Sequence, residues 1–98
     1  MIFSKQMYWG RHASQRKAYI LDNLRERHFL PAAYLITEAK APNLYEIYHS
    51  AMLLNPGFDS VDFIVLGIGY GYQDAVECVE EMLKDRLVTD RTRPEETS

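Results

Sequence analysis

The stretch Val61-Asp62-Phe63-Ile64-Val65-Leu66-Gly67-Ile68-Gly69-Tyr70-Gly71-Tyr72-Gln73-Asp74-Ala75 decides the fold class. Five of its first six residues are apolar, and they run continuously rather than alternating. That is the pattern of a strand covered on both faces, so 61–66 is read as a central strand. Gly67 to Tyr72 carries the chain out of it, and from Gln73 to about Leu87 the period becomes helical. Ala75, Val76, Val79, Met82, Leu83 and Leu87 form an i, i+3, i+4, i+7 stripe, with Glu77, Glu80, Glu81, Lys84 and Asp85 on the wet face. Asp74 falls in the first turn, at the positive end of the helix dipole. Glu80 and Lys84 are placed for an i, i+4 ion pair.

Working upstream, Asn55-Pro56-Gly57 is the strongest breaker and marks a surface connection over 52–60. Before it, 44–51 alternates: Tyr45, Ile47, His49 and Ala51 share one face, Leu44, Glu46, Tyr48 and Ser50 the other. A helix over 43–54 competes with this strand, because Leu44, Ile47, Tyr48, Ala51 and Met52 also satisfy helical spacing. Ala32 to Glu38 reads as a strand, with a turn at 39–43. Arg11 to Phe29 reads as a helix stopped by Pro31, and residues 1–9 as a short strand ending at Gly10. The expected fold is α/β, with α+β as the variant: a sheet of three or four strands, two helices packed on one face, strand order open. Residues 1–88 form the single domain. Residues 89–98, without an apolar side chain beyond Val88, read as a disordered tail.

Composition narrows the function classes. The chain has 98 residues, 47% hydrophobic, with a net charge of −3, enough for one modest core. No apolar run reaches the roughly 18 to 20 residues of a membrane span. The start Met1-Ile2-Phe3-Ser4-Lys5 lacks the features of a secretory leader, which predicts a cytoplasmic protein. Cys78 stands alone and excludes an internal disulfide. His12, His28 and His49 match no compact ligand spacing, so no metal and no cofactor are expected. Residues 1–30 carry six Lys/Arg against two Asp/Glu, and 31–98 five against twelve. Arg11, Arg16, Lys17, Arg25 and Arg27 fall in the first helix and Glu77, Glu80, Glu81 and Asp85 in the last. The two helices are therefore expected to pack side by side, within a monomer or between copies. The acidic total argues against nucleic acid as a partner.

Val65-Leu66-Gly67-Ile68 followed by Gly71-Tyr72-Gln73-Asp74-Ala75 resembles the C-terminal half of a group of small bacterial proteins with a V-G-I-A-x-G-Y-x-x-A-x-x-L-V pattern. Gly69 replaces the small Ala and Cys78-Val79 replaces Leu-Val. Trp9-Gly10 and the Asn43 to Ile47 segment share in the resemblance, which covers about half the chain. It implies the strand-to-helix arrangement and no activity, ligand or catalytic residue.

Three sites are considered on the residues. A glycine-rich turn between a buried strand and a helix offers free N–H groups to a small anion, which points to Gly67, Gly69, Tyr70, Gly71 and Tyr72. The third glycine comes one residue early for a dinucleotide fingerprint, and no G-K-[ST] follows. If a ligand binds there, Gly69→Val is expected to remove it while leaving the fold intact. Glu38, Glu46 and His49 form the only trio resembling an acid/base site, provided they meet across the proposed hairpin. Cys78, mid-helix, reads as an inert thiol. Twelve aromatic residues exceed what a small core absorbs. Tyr8, Trp9, Tyr45 and Tyr48 are the expected interface, with Tyr70 and Tyr72 also exposed. The function expected first is a non-catalytic interaction or regulatory module that self-associates or binds another protein. Anion binding at the glycine turn comes second, and the acid/base enzyme a distant third.

Overall fold

The computed structural model describes residues 2–39, 45–54 and 64–92. The turn at 40–43, the breaker and strand start over 55–63, and residues 93–98 of the expected tail lie outside them. Four strands, β1 (Ile2–Trp9), β2 (Ala33–Glu38), β3 (Tyr45–His49) and β4 (Ile64–Tyr70), form one mixed sheet in the order β1-β4-β2-β3. β4 is central, parallel to β1 and antiparallel to β2, while β2 and β3 pair antiparallel from Tyr34↔His49 to Glu38↔Tyr45. The strand reading of 45–49 holds, and the chain turns into a 3-10 helix at Ser50–Leu54. The glycine segment is mostly strand rather than turn, since β4 continues through Gly67 and Gly69 to Tyr70 and only Gly71 turns, with φ of 102°.

The α/β class and the four-stranded sheet with two helices are as expected; the placement of the helices is not. α1 (Lys17–Arg25) and α2 (Tyr72–Thr92) lie on opposite faces. Ile20 and Leu24 pack with Ala33, Leu35, Val65 and Ile68, whereas Ala75, Cys78 and Met82 pack with Ile36. Leu35 and Ile36 are neighbours, both fully buried. Side chains alternate along a strand, so two such neighbours require a cover on each side. The basic and acidic helices consequently do not lie side by side; the sheet separates them.

α1 is shorter than its pattern suggests. A 3-10 turn (Ala13–Arg16) precedes it, and it ends before Pro31 takes effect. Arg27 adopts φ of 64°, and the N–H groups of Arg27 and His28 bond the Leu24 and Asn23 carbonyls at 3.0 and 2.8 Å, a Schellman end built on arginine. α2, without glycine or proline until Pro94, runs past Leu87 to Thr92, so 89–92 are helical rather than tail. Its sheet-facing residues are Ala75, Cys78 and Met82; Leu83, expected in the core, is 36% exposed. Lys84 pairs with Glu81 at 3.8 Å instead of Glu80.

Candidate functional site

The junction of β4 and α2 is the place where an anion was expected, and the chain fills it itself. The Asp74 carboxylate, 3% exposed, accepts the Tyr70 N–H at 2.8 Å and the Ala13 N–H at 3.1 Å on Oδ2, and the His12 N–H at 3.1 Å on Oδ1. Of the backbone donors in the glycine segment, the Tyr70 N–H is thus bonded to a side chain of the same protein and the Gly71 N–H to the Ala32 carbonyl. Gly69 faces α2 so closely that an added Cβ would fall on the Ala75 backbone and within 2.7 Å of its Cβ. Gly69→Val therefore disrupts helix-on-strand packing, contrary to the expectation that it leaves the fold intact. Gly67 lies beneath Met82, Tyr70 packs on the α1 side, and Tyr72 points outward. These five residues do not converge on a ligand cavity.

Glu38, Glu46 and His49 do not meet either. Glu38 opposes Tyr45 and Glu46 opposes Thr37, so the two carboxylates project from opposite faces of the hairpin, while His49 sits at its far end opposite Tyr34. Each has its own partner. Arg86 bridges Glu38 at 3.6 Å and the Tyr45 hydroxyl at 3.4 Å. The Tyr48 hydroxyl donates to Glu46 Oε2, a bond that, with burial, raises the tyrosine pKa. His49 Nε2 donates to the Pro31 carbonyl at 2.7 Å and Nδ1 accepts the Ala51 N–H at 3.3 Å. With both nitrogens engaged, this histidine fastens the chain before β2 to the end of β3.

A groove of about 630 Å³ lies between the end of β1 and α2, lined by Trp9, Gly10, Arg11, Gln73, Glu77, Cys78, Glu80 and Glu81. Cys78 is 3% exposed; burial, then the charges of Asp74 and Glu81, push its pKa up to about 11. A thiol held protonated in this way is a poor nucleophile. Near it the Asp85 carboxylate beside the Tyr8 hydroxyl, and after it burial, raises the pKa of that tyrosine. Among the described residues no three His, Cys, Asp or Glu side chains converge as metal ligands, and no helix is long and apolar enough to cross a membrane.

The aromatic surface is the remaining candidate, at Tyr72 as expected but not at the other positions expected for it. Tyr8, Trp9, Tyr45 and Tyr48 are all half-buried, as is Tyr70. Among the described residues the exposed phenyl and phenol rings are Tyr72 at 59%, Tyr19 at 54% and Phe29 at 45%. Tyr72 and Phe29 end a ladder of edge-to-face contacts, Tyr72–Tyr34 at 5.6 Å, Tyr34–His49 at 4.9 Å and His49–Phe29 at 5.5 Å. At 100° per residue, Tyr72, Val76, Val79, Leu83 and Arg86 occupy one arc of α2. Tyr72 touches Tyr34 and Arg86 touches Tyr45 and Glu38, so this arc looks toward β3. A helix about 10 Å across cannot cover four strands spanning about 14 Å. An apolar shelf results, its wall Tyr72, Val76 and Leu83 and its floor Tyr34 and Ile47. Phe29 was missed because it follows α1 in sequence, and only the fold of 29–31 onto His49 brings it here.

Comparison with known proteins yields no match: no protein-family model, no curated protein and no solved structure matches this chain.

Proposed function

We propose that this protein is a non-catalytic interaction or regulatory module that associates with copies of itself, in the reducing environment of the cytoplasm, where a single buried thiol is at home. The observation that carries the reading is the shelf on the α2 face, where Tyr72 and Leu83 stay exposed beside the ladder from Tyr34 to Phe29. Contiguous apolar surface of this kind is what protein interfaces use. Neither competing reading has comparable support, since Asp74 and the Ala32 carbonyl take up the Tyr70 and Gly71 donors at the glycine turn and the hairpin register separates Glu38 from Glu46.

The test is light scattering after size exclusion between about 20 and 500 µM, a range set by weak interfaces. The average mass rises above the 11.4 kDa of one chain as concentration increases. Tyr72→Ser with Leu83→Ser reduces that rise at unchanged Tm. A strict monomer across the whole range ends the proposal.

A further inference from the structure

The two edges of the sheet are built differently. β1, at one edge, is interrupted by a register shift between Phe3 and Tyr8 and carries exposed Lys5 and Gln6 within that interruption. A bulge and a lysine are two of the devices by which edge strands avoid pairing with another chain. β3 has neither. Its five residues pair with β2 in one unbroken register, and all five are half-buried. Among the described residues β3 ends the sheet, and half of its main-chain N–H and C=O groups point away from β2.

From this we infer that two copies of the chain pair antiparallel along β3, joining their sheets across a two-fold axis at Ile47. The inference rests on the self-association reading above and adds the edge through which it occurs. The occupant follows from the strand itself, Tyr45-Glu46-Ile47-Tyr48-His49. Two-fold pairing within one sheet sets residues of the same face opposite each other, so the axis passes through a residue and not between two. Centred on Glu46 it would oppose two carboxylates, and centred on Tyr48 it would leave Tyr45 and Glu46 beyond the end of the partner strand. Only on Ile47 do all five residues find partners: Ile47 meets its own counterpart, Glu46 meets Tyr48, and Tyr45 meets His49. Within one chain the Tyr48 hydroxyl already donates to Glu46, so this phenol and this carboxylate share a face and suit each other. Apolar and aromatic pairs directly opposite are the contacts that stabilise antiparallel strands, and in this register no like charges coincide. Ile47 also lies on the floor of the shelf, so the pairing joins two shelves into one apolar surface across the axis.

Amide hydrogen exchange of the wild type, read residue by residue at about 20 and 500 µM, tests the edge in the range of weak interfaces. The outward-facing amides of β3 gain roughly tenfold in protection with concentration, while those of β1 change less than about twofold. A cross-link tests the axis, with Cys78, which belongs to the cluster against which Ile47 packs, replaced by Ala. In that chain Ile47→Cys opposes itself within the Cα separation a disulfide accepts, about 4.4 to 6.8 Å, whereas Tyr45→Cys lies about 14 Å from its counterpart. Under mild oxidation the first forms covalent dimers and the second does not. Circular dichroism melts establish that both are folded, and the exchange measurement stands without either. A wild type that associates with its β3 amides unchanged, or equal cross-linking at both positions, overturns the pairing while self-association stands. A wild type that is monomeric throughout overturns both.

Discussion

On the α1 face the rings of Phe3, Trp9 and Tyr70 lie under Arg25, Lys17 and Arg16, with cation-to-centroid distances of 5.7, 5.6 and 5.1 Å. On the α2 face Tyr34, Tyr72, His49 and Phe29 contact one another, and the ladder ends in solvent. The two faces are built on the same strands, yet one closes over its aromatic surface and the other does not. The difference lies in the helices. α1 sends long basic side chains down either side of its buried ridge, Ile20 and Leu24, and their stems cover rings that the helix itself does not reach. α2 carries short carboxylates on its outer arc and an apolar arc wider than the sheet contact, so part of that arc stays uncovered. On the α1 face cations finish the rings of the sheet and Tyr19 alone stands out from the helix; the α2 face ends in exposed Tyr72 and Leu83 beside an open row of rings.

Between the faces sits Asp74, which ties the first turn of α2 and the end of β4 to the start of the 3-10 turn that leads into α1. The comparison can be broken most severely at the α2 contact. Gly69→Val costs about 4 kcal/mol or more, because backbone rather than a movable side chain fills the space, and a urea melt reads the loss. Asp74→Ala comes next. It strands the His12, Ala13 and Tyr70 donors and costs about 3 kcal/mol, and hydrogen exchange shows amides of both layers losing protection together. If only the α2 amides respond, Asp74 is not the joint between the faces. The mildest change sharpens the contrast between finished and open surfaces. Arg25→Ala or Lys17→Ala lowers stability by about 0.5 to 1 kcal/mol through the uncovered ring beneath. Tyr72→Ser leaves monomer stability within about 0.5 kcal/mol, as for a surface position. Equal losses at Arg25 and Tyr72 in thermal melts would remove the distinction.

Much of the fold was legible in the chain. The continuous run through Val65 gave a central strand, the alternation of Tyr45, Ile47 and His49 gave β3, and the spacing from Ala75 to Leu83 gave α2, because each depends on neighbours within a few residues. The boundary errors share one cause: local patterns mark where a helix is permitted, and hydrogen bonding decides where it stops, as the Arg27 turn and the extension to Thr92 illustrate. The candidate sites fared worse. Gly69 reads first as a glycine that lets the chain turn and the helix pack close on the strand and second as a phosphate glycine, and the approach of Ala75 bears out the packing role.

Sequence alone determined the element types, the separation of basic from acidic segments and the excess of aromatic residues, since these follow from composition and period. Tertiary structure alone decided that the helices take opposite faces, that Asp74 bonds to amides 61 and 62 positions away, and that Phe29 rather than Tyr8 and Tyr48 remains exposed. Periodicity specifies that a side chain has a buried face, but which surface buries it depends on the order of strands in the sheet, and that order is set by contacts between residues far apart in the chain.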